Sequence, residues 1–141
     1  MSVIEGPRTP VAIGLRVAIV VLTLATAYIH YTLGSMMFVF NAAGYVVLAA
    51  AMVTPLPIFA RYRWWIRGAL LGWTVVTILG WVMFGARFDL AYFSKAIEVV
   101  LIVLLVVEMF MYDGGPINVV RKGIAWLISI ARYPFNRGTQ A

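Results

Sequence analysis

The sequence predicts an all-α membrane protein: a four-transmembrane-helix antiparallel bundle with a C-terminal interfacial amphipathic helix. Of the 141 residues, 64% are hydrophobic and only 11% are charged, and the mean hydropathy is +0.98. Soluble domains are nearer half apolar and a quarter charged. Four continuous apolar stretches reach the roughly 20 residues that a helix needs to cross a bilayer. The basic residues are concentrated in alternate connections, which predicts a topology.

The four stretches cover about 11–31, 36–54, 64–85 and 90–112, so residues 1–112 are predicted to form the transmembrane bundle. The first stretch is too long for a cleaved signal peptide and lacks a small-residue cleavage site at a polar boundary, so we expect it to be retained. Short connections at 32–35 and 86–89 predict antiparallel hairpins. Pro55 and Pro57 end the second stretch because proline lacks the amide hydrogen that a helix uses.

Residues 113–141 are predicted to be cytoplasmic and to begin with a helix breaker, Asp113-Gly-Gly-Pro116. Beyond it, apolar and polar residues alternate at helical spacing, which is typical of an amphipathic helix. A basic helix of this kind is expected to lie in the membrane interface. The alternative is that it packs on a partner subunit. The residues expected at the membrane surface are Arg121, Lys122, Trp126 and Arg132.

Orientation follows from the positive-inside rule, which places both termini in the cytoplasm and the protein in the cell inner (plasma) membrane. Only Arg87 and Lys95 lie on the opposite side. The net charge of +6 is interpreted as anchoring to anionic lipid headgroups, not as nucleic-acid binding. The chain has no cysteine, which excludes disulfides and thiolate metal sites. Nine of the eleven basic residues share the predicted cytoplasmic side: Arg8, Arg16, Arg61, Arg63, Arg67, Arg121, Lys122, Arg132 and Arg137.

Ionisable groups at membrane depth are costly, so they are candidate functional residues. Lys95 and Glu98 are spaced for a salt bridge on one helix face, and Asp89 is expected to cap the fourth helix. The polar residues of the predicted outer third form a candidate site for a small polar ligand or a proton relay. Alternatively, they only neutralise one another and fix helix register. This predicted outer set is His30, Asn41, Arg87, Asp89, Tyr92, Lys95 and Glu98.

Other residues in the stretches have interpretations of their own. Arg16 is expected to reach the headgroups, and Glu108 to be solvated or paired with a cytoplasmic arginine. Gly68-x-x-x-Gly72 is a helix-packing signature that acts within the bundle or between two copies of the chain. No cofactor is predicted, although His30 remains a candidate axial ligand of a haem or chlorin.

The segments His-Tyr-Thr-Leu-Gly (30–34) and Phe-Asn-Ala-Ala-Gly-Tyr (40–45) resemble small uncharacterised four-span prokaryotic membrane proteins. In that group a histidine closes the first span, and an asparagine near the start of the second precedes a small residue. His30 and Asn41 occupy these positions here. The DoxX-like proteins are similar in size and topology. The resemblance implies the four-span fold and no particular activity.

Small size and the absence of a catalytic triad or phosphate loop favour a protein that is not an enzyme. We expect an accessory or scaffold subunit of a larger membrane assembly, with other membrane subunits or a second copy as partners. One alternative is a small-ligand or proton-coupled transporter that acts as a dimer and uses His30 and Glu98. A further alternative is a redox or pigment-binding subunit that uses His30.

Overall fold

The computed structural model describes residues 9–132, and within that range it is all-helical, with 88% helix and no strand. The helices are α1 (Pro10–Thr32), α2 (Met36–Val53), α3 (Pro57–Arg61), α4 (Arg63–Phe84), α5 (Asp89–Tyr112) and α6 (Pro116–Arg132). Arg8, Arg137 and the end of the predicted tail lie outside the described residues. Helices α1, α2, α4 and α5 are long and apolar enough to cross a membrane. To this extent the predicted fold is confirmed.

Local chemistry explains where several helices begin and end. The Thr9 side chain accepts a hydrogen bond from the Ala12 amide at 3.2 Å and so caps α1. Helix α2 ends at Val53, ahead of the two prolines, and Arg63 donates to the Met52 carbonyl at 2.6 Å. That bond satisfies a carbonyl that the end of the helix leaves without an intrahelical donor.

Two details differ from the sequence prediction. The connection after α2 contains the short helix α3, which begins at a proline because the ring already has helical φ. Asp89 is not the N-cap of α5 but its first helical residue; Phe88 occupies the cap position, and no side chain bonds the free amides there. The predicted breaker is found, with Gly114 and Gly115 at positive φ of 76° and 107° between α5 and α6.

The four long helices pack in a ring in the order α1, α2, α4, α5, in which each helix contacts both of its neighbours. The C-terminal helix α6 packs against α4 and α5, where it buries Val119. Apolar side chains from all four long helices fill the middle of the ring. The fully buried ones are Ile19, Tyr45, Met52, Leu70, Leu101, Leu105 and Met109.

The surface and the interior have the reverse of the usual polarity of a soluble protein. Large apolar side chains such as Val76, Met83 and Phe110 are more than 60% exposed. Arginine, lysine and glutamate side chains are buried instead, and Arg67 and Glu98 have no exposed surface at all. Soluble proteins almost never bury such groups while exposing so much apolar surface. The structure therefore supports a multi-pass membrane protein whose outer surface meets lipid.

Candidate functional site

A buried polar cluster lies between α1 and α5, and we call it the His30 cluster: Thr26, His30, Ser94, Lys95 and Glu98. Its centre is the Glu98 carboxylate, which is fully buried. Lys95 Nζ donates to Glu98 Oε2 at 2.6 Å, and Thr26 Oγ1 donates to Glu98 Oε1 at 2.9 Å. The lysine side chain is 11% exposed and the carboxylate 0%. An ammonium group and a hydroxyl thus replace the water that this carboxylate would lose on burial.

The orientation of the His30 ring is set by its own helix. Nδ1 lies 2.8 Å from the Thr26 carbonyl oxygen, and Nε2 lies 3.7 Å from Glu98 Oε1. A carbonyl oxygen can only accept, so Nδ1 carries a hydrogen. The rings of Phe38 and Tyr45 pack against the imidazole, with centroids 6.0 and 5.9 Å away. The imidazole is therefore held with Nε2 directed at the carboxylate.

Tyr45 joins the His30 cluster to the opposite side of the bundle. Its side chain is fully buried, and its hydroxyl has no hydrogen-bond partner among the described residues. Thr74, Thr77 and Glu98 surround that hydroxyl without reaching hydrogen-bonding geometry. Thr74 Oγ1 donates to the Leu70 carbonyl at 2.8 Å, so its hydrogen is already used. All four long helices thus contribute polar atoms to one layer.

Only part of the predicted outer set comes together. His30, Lys95 and Glu98 form the centre of the cluster, and Asn41 lies nearby on α2, where it accepts from Thr77 Oγ1 at 3.1 Å. Arg87, Asp89 and Tyr92 are exposed and are not part of this buried cluster, so their role as site residues stays a prediction. Arg87 does not pair with Asp89: it donates to the Val82 carbonyl at 2.9 Å, and its guanidinium lies 4.1 Å from the centre of the Trp81 ring.

A second polar cluster, which we call the arginine cluster, lies toward the other end of the bundle: Arg16, Arg67, Glu108, Tyr112, Asp113 and Lys122. Arg16, Arg67, Glu108 and Asp113 are buried, and Lys122 lies half-exposed at the edge. Arg16 donates to Glu108 Oε1 from both Nη2 and Nε, at 2.6 and 2.9 Å. Arg67 binds both oxygens of Asp113, at 2.7 and 3.0 Å. The Tyr112 ring lies between the two guanidinium groups, 5.7 Å from Arg16 and 5.3 Å from Arg67. Lys122 of α6 approaches Asp113 at 3.7 Å.

The structure corrects the prediction for three basic residues, two of which belong to this cluster. Arg16, Arg63 and Arg67 were expected to face lipid headgroups, but all three are buried. The expectation that Glu108 pairs with an arginine is confirmed; the arginine is in α1. The signal that the prediction missed is that Arg67 lies four residues after the start of α4, inside a predicted span, where a charged group needs a partner within the protein.

Of the two glycines of the α4 packing signature, only Gly68 lies against another helix. A Cβ atom at Gly68 would lie 2.9 Å from Val119 Cγ1 of α6, so the missing side chain admits that helix. Nothing lies within 4 Å of the same position at Gly72, which faces outward. The close helix approach is instead at Gly44 of α2, where the indole of Trp73 occupies the space of a side chain.

The α6 residues predicted at the membrane surface separate into two groups. Arg121 and Arg132 are exposed, and Lys122 is half-exposed. Trp126 instead packs on the bundle, with ring centroids 5.9 Å from Trp65 and 6.5 Å from Tyr62. The tryptophan thus holds α6 against α4.

Iron coordination by His30 does not fit this geometry. The imidazole nitrogen that would bind iron is Nε2, because Nδ1 is bonded to the Thr26 carbonyl. Nε2 faces the Glu98 carboxylate at 3.7 Å, with aromatic rings packed on the imidazole. An iron and its planar macrocycle have no place between these atoms.

The function is inferred from the geometry of the two clusters, because comparison with known proteins identifies no related protein. Compared with protein-family models, with curated proteins and with solved structures, the chain matches none of them.

Proposed function

We propose that this chain is a non-catalytic integral membrane protein that acts as an accessory or scaffold subunit of a larger membrane assembly. The observation that carries the proposal is the pairing of charges inside the bundle. Glu98 is compensated by Lys95, Glu108 by Arg16 and Asp113 by Arg67. The second and third of these pairs join α1 to α5 and α4 to the end of α5, so they favour one arrangement of those helices.

The space between the clusters also favours a structural role over transport. Glu98 and Glu108 are ten residues apart on α5, which corresponds to about 15 Å along a helix. The side chains between them on the buried face, Leu101 and Leu105, are fully buried. Thr23 lies at the same level, but its hydroxyl donates to the Ile19 carbonyl of its own helix at 2.7 Å. A transporter needs a polar path, and this apolar layer interrupts it.

The environment that fits this scaffold is the inner (plasma) membrane of a prokaryotic cell, with both termini cytoplasmic. The support is the distribution of basic side chains. The exposed Arg61, Arg121 and Arg132 all belong to the connection after α2 or to α6. Anionic lipid headgroups at the cytoplasmic surface attract such groups.

The test is purification from native membranes. The chain, carrying an affinity tag, is extracted in mild detergent, and the intact complex is weighed by native mass spectrometry. We expect other subunits in fixed stoichiometry, absent when the chain is untagged. A monomer or homodimer alone would contradict the scaffold proposal.

If the chain purifies alone, the transport alternative is decided in liposomes. Proton or solute flux that is lost in Glu98→Gln but kept in Glu108→Gln would establish transport. An absorption spectrum of the same sample checks the pigment-binding alternative.

A further inference from the structure

The His30 cluster holds two hydrogen-bond acceptors facing each other. In the neutral ring, the single hydrogen is on Nδ1, because that atom bonds the Thr26 carbonyl at 2.8 Å. Nε2 then presents a lone pair to Glu98 Oε1, which is 3.7 Å away. Such a contact is unfavourable unless a proton lies between the two atoms. The backbone bond of α1 therefore prepares Nε2 to take up a proton.

The Tyr45 hydroxyl is a second, independent sign that the hydrogen bonding of this layer is incomplete. It is fully buried and unpartnered among the described residues, and it lies beside the same carboxylate. A buried polar group without a partner is costly, so natural proteins rarely keep one without a use. The layer around the Glu98 carboxylate therefore contains a hydroxyl whose hydrogen-bonding capacity is not used.

We propose that His30 and Glu98 form a binding site for a single proton, which enters and leaves from one side of the bundle. The proton adds to His30 Nε2, forming one N–H bond, and the imidazolium so formed pairs with the Glu98 carboxylate. On this proposal the proton comes from water and enters past Lys95, whose side chain is the most exposed of the cluster at 11%. The apolar layer of Leu101 and Leu105 closes the way to the arginine cluster.

Groups from three helices determine the charge at this site. Helix α5 contributes Glu98, which attracts the proton, and Lys95, which repels it. Helix α2 contributes the neutral Tyr45, and α4 contributes the threonine hydroxyls around that tyrosine. Without the proton the site is neutral; with it the site carries one positive charge. This inference does not depend on the scaffold role, since a proton sensor can sit in a lone protein or in a subunit.

The test is nuclear magnetic resonance of the protein in lipid nanodiscs with ¹⁵N-labelled histidine. His30 is the only histidine of the chain, so its two ring nitrogens are observed without overlap. We expect the neutral ring in the Nδ1–H tautomer and one proton taken up at Nε2 as the pH falls. The Nε2–H tautomer, or a ring that stays neutral until the protein unfolds, would overturn the proposal.

Three variants separate this site from general effects of burial. Glu98→Gln removes the attracting charge, so the midpoint of the His30 titration should move to lower pH by at least about one unit. Lys95→Met removes the repelling charge and should move the midpoint upward, which keeps the test decisive if Glu98→Gln does not fold. Glu108→Gln changes the other cluster and should leave the midpoint in place. Equal midpoints in the wild type and in Lys95→Met would contradict the proposed site.

Discussion

The pair Arg16–Glu108 illustrates the effect of one buried charge pair on a bundle surrounded by lipid. The carboxylate is 1% exposed and accepts two hydrogen bonds from a single guanidinium. Outside the protein, hydrocarbon would offer neither group a partner. The pair therefore strongly favours one arrangement of α1 against α5, because every other arrangement separates the charges.

Removal of either buried glutamate should destabilise the protein by a similar amount. Glu98→Ala leaves Lys95 without its carboxylate, and Glu108→Ala does the same to Arg16. Each should lower the free energy of unfolding by about 3 kcal/mol, as when one partner of a buried pair is lost. The sequence alone favours a larger loss of stability for Glu98→Ala, but Glu108 is buried to nearly the same extent, at 1% exposure against 0% for Glu98.

Thermal unfolding followed by circular dichroism in one detergent measures these changes. Asp89→Ala is the matched control, because that carboxylate is exposed. It should change stability by less than about 0.5 kcal/mol. A Glu108→Ala variant as stable as Asp89→Ala would contradict the burial of the arginine cluster.

Two glycines offer a second comparison at the residue scale. Gly44→Ala places a Cβ atom where the Trp73 indole lies and should cost about 1–3 kcal/mol through overpacking. Gly72→Ala meets nothing within 4 Å and should be neutral or stabilising, because alanine favours helix by about 1 kcal/mol. Unfolding by denaturing detergent compares the two. The reverse order of stability would show that Gly72, not Gly44, is the site of close helix packing.

At the scale of elements, α6 has three sides. Val119, Gly123 and Trp126 face the bundle. A second row, which includes Ile117 and Ile124, is apolar and exposed. On a helix of 3.6 residues per turn the basic side chains take the remaining side. Helix α6 thus docks on its own bundle and keeps an apolar side exposed, as expected for a helix at the membrane interface. Its packing on a partner subunit stays a prediction.

The position of α6 should depend on Asp113. This carboxylate joins Arg67 of α4 to Lys122 of α6 at the turn between α5 and α6. Asp113→Asn should therefore speed amide hydrogen exchange in 116–132 by at least about tenfold, with little change in α1 and α2. Hydrogen-exchange mass spectrometry resolves these peptides.

Arg121→Ala is the control for this experiment, because its exposed side chain lies on the same helix. It should leave exchange in 116–132 unchanged. Faster hydrogen exchange throughout the chain in Asp113→Asn would indicate global destabilisation. It would contradict the prediction that Asp113 specifically holds α6 in place.

At the scale of the whole molecule, sequence predicts what depends on local signals. Apolar length predicted the four long helices, and Pro55 and the Gly114–Gly115 pair predicted two of their ends. The i, i+3 spacing of Lys95 and Glu98 predicted their bond, which the structure confirms at 2.6 Å.

The sequence contains no comparable local signal for which charged residues on distant helices pair with each other. Arg16 and Glu108 are 92 residues apart in sequence. The positive-inside rule, used alone, predicted that Arg16 contacts lipid headgroups. For the same reason, membership of the His30 cluster was predicted by depth alone. That criterion also selected Arg87, Asp89 and Tyr92, which are exposed and lie outside the cluster.

The proposed topology has a direct test, because the chain contains no cysteine. Single cysteines are introduced at Leu56 and Ala86, both exposed in connections on opposite sides of the predicted membrane. In intact cells, a membrane-impermeant maleimide should label Ala86→Cys and leave Leu56→Cys unlabelled. Both should react once the membrane is opened. The reverse pattern in intact cells would place the termini outside.

The distance in sequence between Arg16 and Glu108 also has a consequence for biosynthesis. The arginine emerges from the ribosome 92 residues before its carboxylate. At about 5–20 residues per second, the delay is on the order of 5–20 s. During that time α1 carries a guanidinium that bilayer hydrocarbon disfavours, so it should remain beside the insertion machinery or at the water interface. We expect α1 to take its final position only when Glu108 has been inserted, and chains truncated before Glu108 to be degraded faster than the full chain because Arg16 then has no carboxylate partner.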